Sequence, residues 1–149
     1  MIRIDIDDRE VLDALEALRR RVADMTPAMA GIAAELASQT EARFQAEGPG
    51  WPELSGRTIL ARSKSGHWPG KMLQRSGQLA ASVQTEHGRD YVLISTANPY
   101  AAIHQFGGRA GRGRKVKIPA RPYLPLAGSR LTDEARRSVL EILEDYLEG

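Results

Sequence analysis

The stretch KIPARPYLP, residues 117–125, carries a proline at every third position: Pro119, Pro122 and Pro125. Each ring locks φ near −65° and removes an amide donor, and each disfavours the helical region for the residue before it. No helix passes through such a run, and no central strand tolerates it. Residues 119–125 must therefore run extended and stiff, a connector or docking segment that holds Arg121, Tyr123 and Leu124 in set directions. Arg121 stands out because a planar guanidinium on a rigid backbone suits two-pronged binding of a carboxylate or a carbonyl.

The elements around this fence follow from periodicity. Ile2, Ile4 and Ile6 alternate with polar residues and read as a half-buried strand, with Asp7 or Asp8 capping the helix after it. Val11, Leu12, Leu15, Leu18 and Val22 share one helical face, which predicts a helix from Arg9 to Asp24 with that face in the core. Thr26-Pro27 reads as a cap and first position of a second helix, buried through Met29, Ile32, Ala33, Leu36 and Phe44 and packed on the first as a hairpin or bent pair. Ser55 is placed to cap a short helix, and Trp51 and Trp68 lie in loops where they cover the core edge or meet a partner. Ser82 to Glu86 and Tyr91 to Thr96 form the clearest hairpin. Asn98-Pro99 opens a short helix, Tyr100 to Phe106, stopped by Gly107-Gly108. Val116 to Ile118 reads as a strand, and Thr132 caps a last amphipathic helix. The order predicts an α+β fold: a small, mostly antiparallel sheet with a central β-hairpin, packed against N-terminal and C-terminal helices. The 149 residues suit one domain, with mobile loops at about 63–71 and 107–115.

Charge is segregated more than the net +2 conveys. No acidic residue occurs from Leu54 to Thr85 or from Arg109 to Arg121. The second stretch carries Arg109, Arg112, Arg114, Lys115, Lys117 and Arg121, while the C-terminal helix carries Asp133, Glu134, Glu141, Glu144, Asp145 and Glu148. A basic middle and an acidic tail suit contact with further copies or with an acidic partner. The Arg109 to Lys117 cluster also fits non-specific contact with nucleic-acid phosphates, although no stacking aromatic interrupts it before Tyr123.

Enzymatic readings find little to hold. The chain lacks cysteine, so thiolate zinc sites, disulfides and cysteine nucleophiles are excluded. His104 sits on a short helix, but His67 and His87 have no ligand spacing to it, and no HExxH or GxSxG occurs. The glycines of GGRAGRGRK follow a helix and precede a strand, the reverse of a phosphate-binding loop. No metal, cofactor or small-molecule substrate is expected. The opening MIRIDIDD lacks the basic start and apolar block of a secretory signal, and no apolar run reaches membrane-spanning length.

Four blocks together resemble the phage virion morphogenesis, or tail completion, family. They are IRIDIDD; Trp51, Leu54, Ser55 and Thr58 in GWPELSGRT, with Phe44 before it; Leu73, Gly77, Leu79 and Ser82 in MLQRSGQLAASV; and YAAIHQFGG followed by KIPARPYLP. The last is the most specific, through Tyr100, Ala101, His104, Gln105, Phe106 and Gly107, then Ile118, Pro119, Ala120, Arg121, Pro122 and Leu124. Tyr123 and Pro125 depart from the commoner phenylalanine and glycine. The resemblance implies a non-enzymatic structural protein of a tailed phage or prophage that completes the tail or joins it to the head. It implies phage tail and head–tail connector proteins as partners, a homo-oligomeric ring when assembled, and a path from host cytoplasm to the tail end or neck of the virion.

Overall fold

The computed structural model describes residues 9–48 and 50–149. The expected strand through Ile2, Ile4 and Ile6 and its cap at Asp7 or Asp8 lie outside the described residues.

Helix α2 (Thr26–Ala46) is the spine. Its buried residues include Ala28, Ile32 and Leu36 on one flank and Ala33, Thr40 and Phe44 on another. A helix covered on two sides needs more than one narrow apolar stripe. Helix α6 (Asp133–Glu148) covers one side through Ala135, Val139, Ile142 and Leu143. The ribbon of β1 (Val83–His87) and β2 (Val92–Thr96) also packs on α2. The cap of α2 differs from expectation. Met25 takes the cap position without a side-chain cap bond, Thr26 already belongs to the helix, and Asp24 before them accepts from the Thr26 amide at 3.0 Å and its hydroxyl at 2.6 Å.

Among the described residues, antiparallel pairing is divided among three two-stranded ribbons. The first is the expected hairpin, with Val83 opposite Thr96 and His87 opposite Val92. The second is half expected: Val116–Ile118 is the strand read from the sequence (β4), but its partner β3 (Gly108–Ala110), from the glycine-rich basic segment, and the 3₁₀ turn Arg112–Arg114 between them are not. The third, β5 (Leu126–Ala127) with β6 (Arg130–Leu131), turns the chain into α6. Thr132 caps α6 by accepting from the Ala135 amide at 3.2 Å, and Ser55 caps α3 (Gly56–Lys64) by accepting from Thr58 at 3.2 Å.

Helix α1 (Arg9–Ala23) overturns one expectation. It has no buried residue, and Leu12, Leu15, Leu18 and Val22 are 40–58% exposed. It rests on α6 instead of forming a closed hairpin with α2, and the Tyr146 hydroxyl donates to the Asp24 carbonyl beyond its end. Amphipathic periodicity reports that a face is apolar, not that the same chain covers it.

Candidate interaction surface

The proline-fenced segment is clamped onto the short helix α5 (Ala101–Phe106). The Arg121 amide donates to the His104 carbonyl at 2.8 Å. The Tyr123 and Leu124 amides both donate to Oε1 of Gln105, at 3.0 and 2.9 Å. The Tyr123 hydroxyl donates to the Ala101 carbonyl at 2.8 Å. An extended segment that has lost amides to proline has no ladder partner, so its remaining donors need acceptors elsewhere. Gln105, 3% exposed, supplies one oxygen for two of them.

The other face of the segment is held by its carbonyls and by arginines. Trp51 Nε1 donates to the Pro122 carbonyl at 2.9 Å, and Arg43 Nη1 donates to that of Leu124 at 2.8 Å. The Arg121 fork binds two main-chain carbonyls of its own chain, Pro52 at 2.8 Å and Glu53 at 3.0 Å. Phe44 stacks on Tyr123 with ring centres 5.0 Å apart and meets Trp51 edge-on at 6.3 Å. These rings, with Leu73, Leu79 and Ala101, form the second core cluster. Burial holds the Tyr123 hydroxyl up to about 12, so it remains a donor at any physiological pH.

Gly107 closes α5 with φ of 73°. A Cβ there would stand 2.9 Å from the Ala120 amide nitrogen and 3.0 Å from the Ile118 carbonyl, so only glycine fits both the angle and the space.

The signature positions thus separate into inward and outward sets. Trp51, Gln105, Arg121 and Tyr123 are buried, and Pro119 and Pro122 are half-buried. Tyr100 and Phe106 face solvent at 65% and 60% exposure. His104 is half-buried, and its Nδ1 is buried without a hydrogen-bond partner. Burial, then the nearby Arg121 and Arg62 guanidiniums, hold its pKa below the ordinary imidazole value, so the ring is neutral at pH 7. Arg109, Arg112, Arg114, Lys115 and Lys117 are all exposed on the β3–β4 ribbon, and none is ion-paired among the described residues.

Sequence reasoning missed two internal arginines. Arg62, 8% exposed, donates to the Lys71 and Met72 carbonyls and pins the 65–72 loop to α3. Arg43 holds Leu124. Nothing local marks either one, because their acceptors are main-chain carbonyls, which every residue possesses.

The sequence profile of the phage virion morphogenesis family matches residues 6–148. The chain belongs to that family. Two G proteins of Mu-like prophage FluMu in Haemophilus influenzae are similar to it. G protein 2 is 38% identical over 150 residues, covering 99% of this chain and 97% of the relative. G protein 1 is 35% identical over 109 residues, covering 69% and 67%. The "putative capsid assembly protein G" of Escherichia phage Mu is 36% identical over 131 residues, covering 84% and 83%. No solved structure matches the chain. The family is one of phage virion morphogenesis, and the phage Mu relative is named for capsid assembly. The core around Gln105 and Tyr123 is therefore the framework of a virion morphogenesis protein, with the basic ribbon mounted on it. No helix among the described residues is long and apolar enough to cross a membrane.

Proposed function

We propose that this family member completes the phage tail and joins it to the head, as a structural component without catalytic activity. Assembly would start in the host cytoplasm and leave the protein at the tail end or neck, in a homo-oligomeric ring among tail and connector proteins. The observation that carries this reading is the division of labour around the proline fence. The buried signature side chains hold an extended segment rigid, and that segment is continuous with an exposed cationic ribbon. Shape and charge complementarity are what such an arrangement offers to neighbouring subunits.

The test is complementation of a phage lacking the gene. Without the protein, filled heads and tails should accumulate separately, and the normal protein should restore joined particles. The Arg109→Ala, Arg112→Ala, Arg114→Ala variant should fold normally but fail to restore joining. Joined particles in the absence of the gene would refute the reading. Arg121 is left intact, since its loss would strike the framework and confuse folding with docking. A His104→Ala protein that folds and restores joining is expected if His104 has no catalytic part.

A second reading has its own observation. Five cations on one short ribbon, none ion-paired among the described residues, fit the phosphates of DNA. Binding would weaken with salt by about 0.9 in log–log slope per phosphate neutralised, so the triple alanine variant should flatten the slope by roughly 2.7. An unchanged slope would remove the ribbon from any DNA contact.

A further inference from the structure

A cleft of about 730 Å³ opens beside α5, between α3 and α4 (Gln78–Ser82). Arg57, Arg62 and Arg75 stand on its walls, with His67, Tyr100 and His104. Its floor is apolar, with Met72, Leu73 and Leu79, and no aspartate or glutamate lines it among the described residues. The arginines act on one another. Burial and the Arg75 charge hold the Arg62 pKa below its ordinary value, and only Glu47, itself 3.7 Å from Lys71, acts in the opposite sense. Arg62 cannot swing away, because the Lys71 and Met72 carbonyls hold it. The cleft therefore holds one fixed cation, Arg62, with the exposed Arg57 and Arg75 beside it, and no aspartate or glutamate of its own among the described residues.

The same chain carries a complementary surface elsewhere. From Ser138 to Gly149 there is no basic residue, and Glu141, Glu144, Asp145 and Glu148 lie on the C-terminal half of α6. Negative charge in the last turns of a helix opposes the macrodipole, so these residues do not serve the helix. Arg21 of α1 lies against Gly149, yet no ion pair among the described residues engages the four carboxylates. Leu140, 51% exposed, shares its helix face with Glu144 one turn on and with Arg136 and Arg137 one turn before. An exposed leucine followed by a carboxylate-bearing helix end matches a cleft with an apolar floor and cationic walls. A phosphodiester backbone would use the walls and leave the floor empty.

We infer that the Arg57–Arg62–Arg75 cleft receives the acidic C-terminal half of α6 from a second copy of this chain. α6 does not line the cleft, so donor and acceptor are different patches of one molecule. Such a head-to-tail contact propagates, closing into a ring or extending as a filament. The inference names the contact between copies within the assembly role proposed above. It is read on purified protein, so it fails independently of any complementation result.

The experiment is sedimentation of the full chain at about 10 mM salt, where the Debye length is roughly 30 Å, and at about 1 M, where it is roughly 3 Å. The parent should self-associate at low salt and dissociate at high salt. Arg57→Glu with Arg75→Glu, or Glu141→Lys with Glu144→Lys, should each weaken association by about tenfold or more. The chain bearing all four changes restores opposite charges across the contact and should regain association. If the reversals disturb folding, judged by circular dichroism, Arg57→Gln with Arg75→Gln should give a loss in the same direction. A parent that stays monomeric at low salt overturns the inference. So do reversals without effect, or a folded fourfold variant that does not recover. Loss of duplex DNA binding in the arginine variant with self-association intact would make phosphate the occupant, and would overturn it too.

Discussion

Gln105 is the position where one side chain carries the most of the observed framework. Its oxygen accepts from both the Tyr123 and Leu124 amides, and Tyr123 is 1% exposed. Gln105→Met keeps the length and removes the acceptor. Two donors would lose their partner, each at a cost of about 1–3 kcal/mol, so the loss should total roughly 2–6 kcal/mol. Domains of this size are stable by about 5–15 kcal/mol, so the variant should fold but with a large part of its margin gone. At roughly 3 °C per kcal/mol, the melting temperature should fall by about 6–18 °C. Gln105→Glu keeps an oxygen for both amides and should lose less. Thermal unfolding followed by circular dichroism gives the magnitude, and hydrogen exchange at the Tyr123 and Leu124 amides gives the location. A Met variant melting within about 2 °C of the parent, with both amides still protected, would refute the reasoning.

Arg121→Lys replaces a fork that reaches both the Pro52 and Glu53 carbonyls with a single ammonium, and should cost about 1.5–3 kcal/mol in chemical unfolding despite the conserved charge. His104 has a folded pKa below its ordinary 6.5, so its contribution is fully present above pH 6.5 and is lost as pH falls toward the folded value; His104→Gln should flatten that part of the stability–pH curve. Leu15→Ala should cost only about 1 kcal/mol by denaturant titration, because Leu15 is 49% exposed, whereas a core leucine would cost about 2–5 kcal/mol.

Local order was legible wherever the cause was local. Ser55 and Thr132 cap helices because a hydroxyl reaches an amide three residues on. The β1–β2 hairpin follows from a β-branched run and a four-residue turn, and Gly107 from a left-handed helix stop. Half of the basic ribbon was legible, since Val116–Ile118 read as a strand, but its partner Gly108–Ala110 was hidden because glycine-rich sequence carries little strand propensity and only main-chain pairing reveals it. Leu93 belongs to an apolar run, but strand alternation turns it outward at 48% exposure. The acid-free basic stretch that holds Arg57, Arg62 and Arg75 was legible, but the cleft was not, because the three are spread over a helix and a loop and no spacing rule joins them.

What the sequence alone determined is the chemistry available and the places where the backbone has no choice. Three prolines demanded an extended segment, one glycine demanded a sharp stop, and charge was separated along the chain before any folding. The tertiary structure decided which way the side chains face. Trp51, Gln105, Arg121 and Tyr123 turn inward because a proline-fenced strand must find acceptors and donors outside itself, and the nearest are α5, the 51–53 loop and the end of α2. The α1 stripe stays outward because no described element of the chain covers it. Burial depends on residues far apart in the chain, and a pattern within ten residues cannot report it.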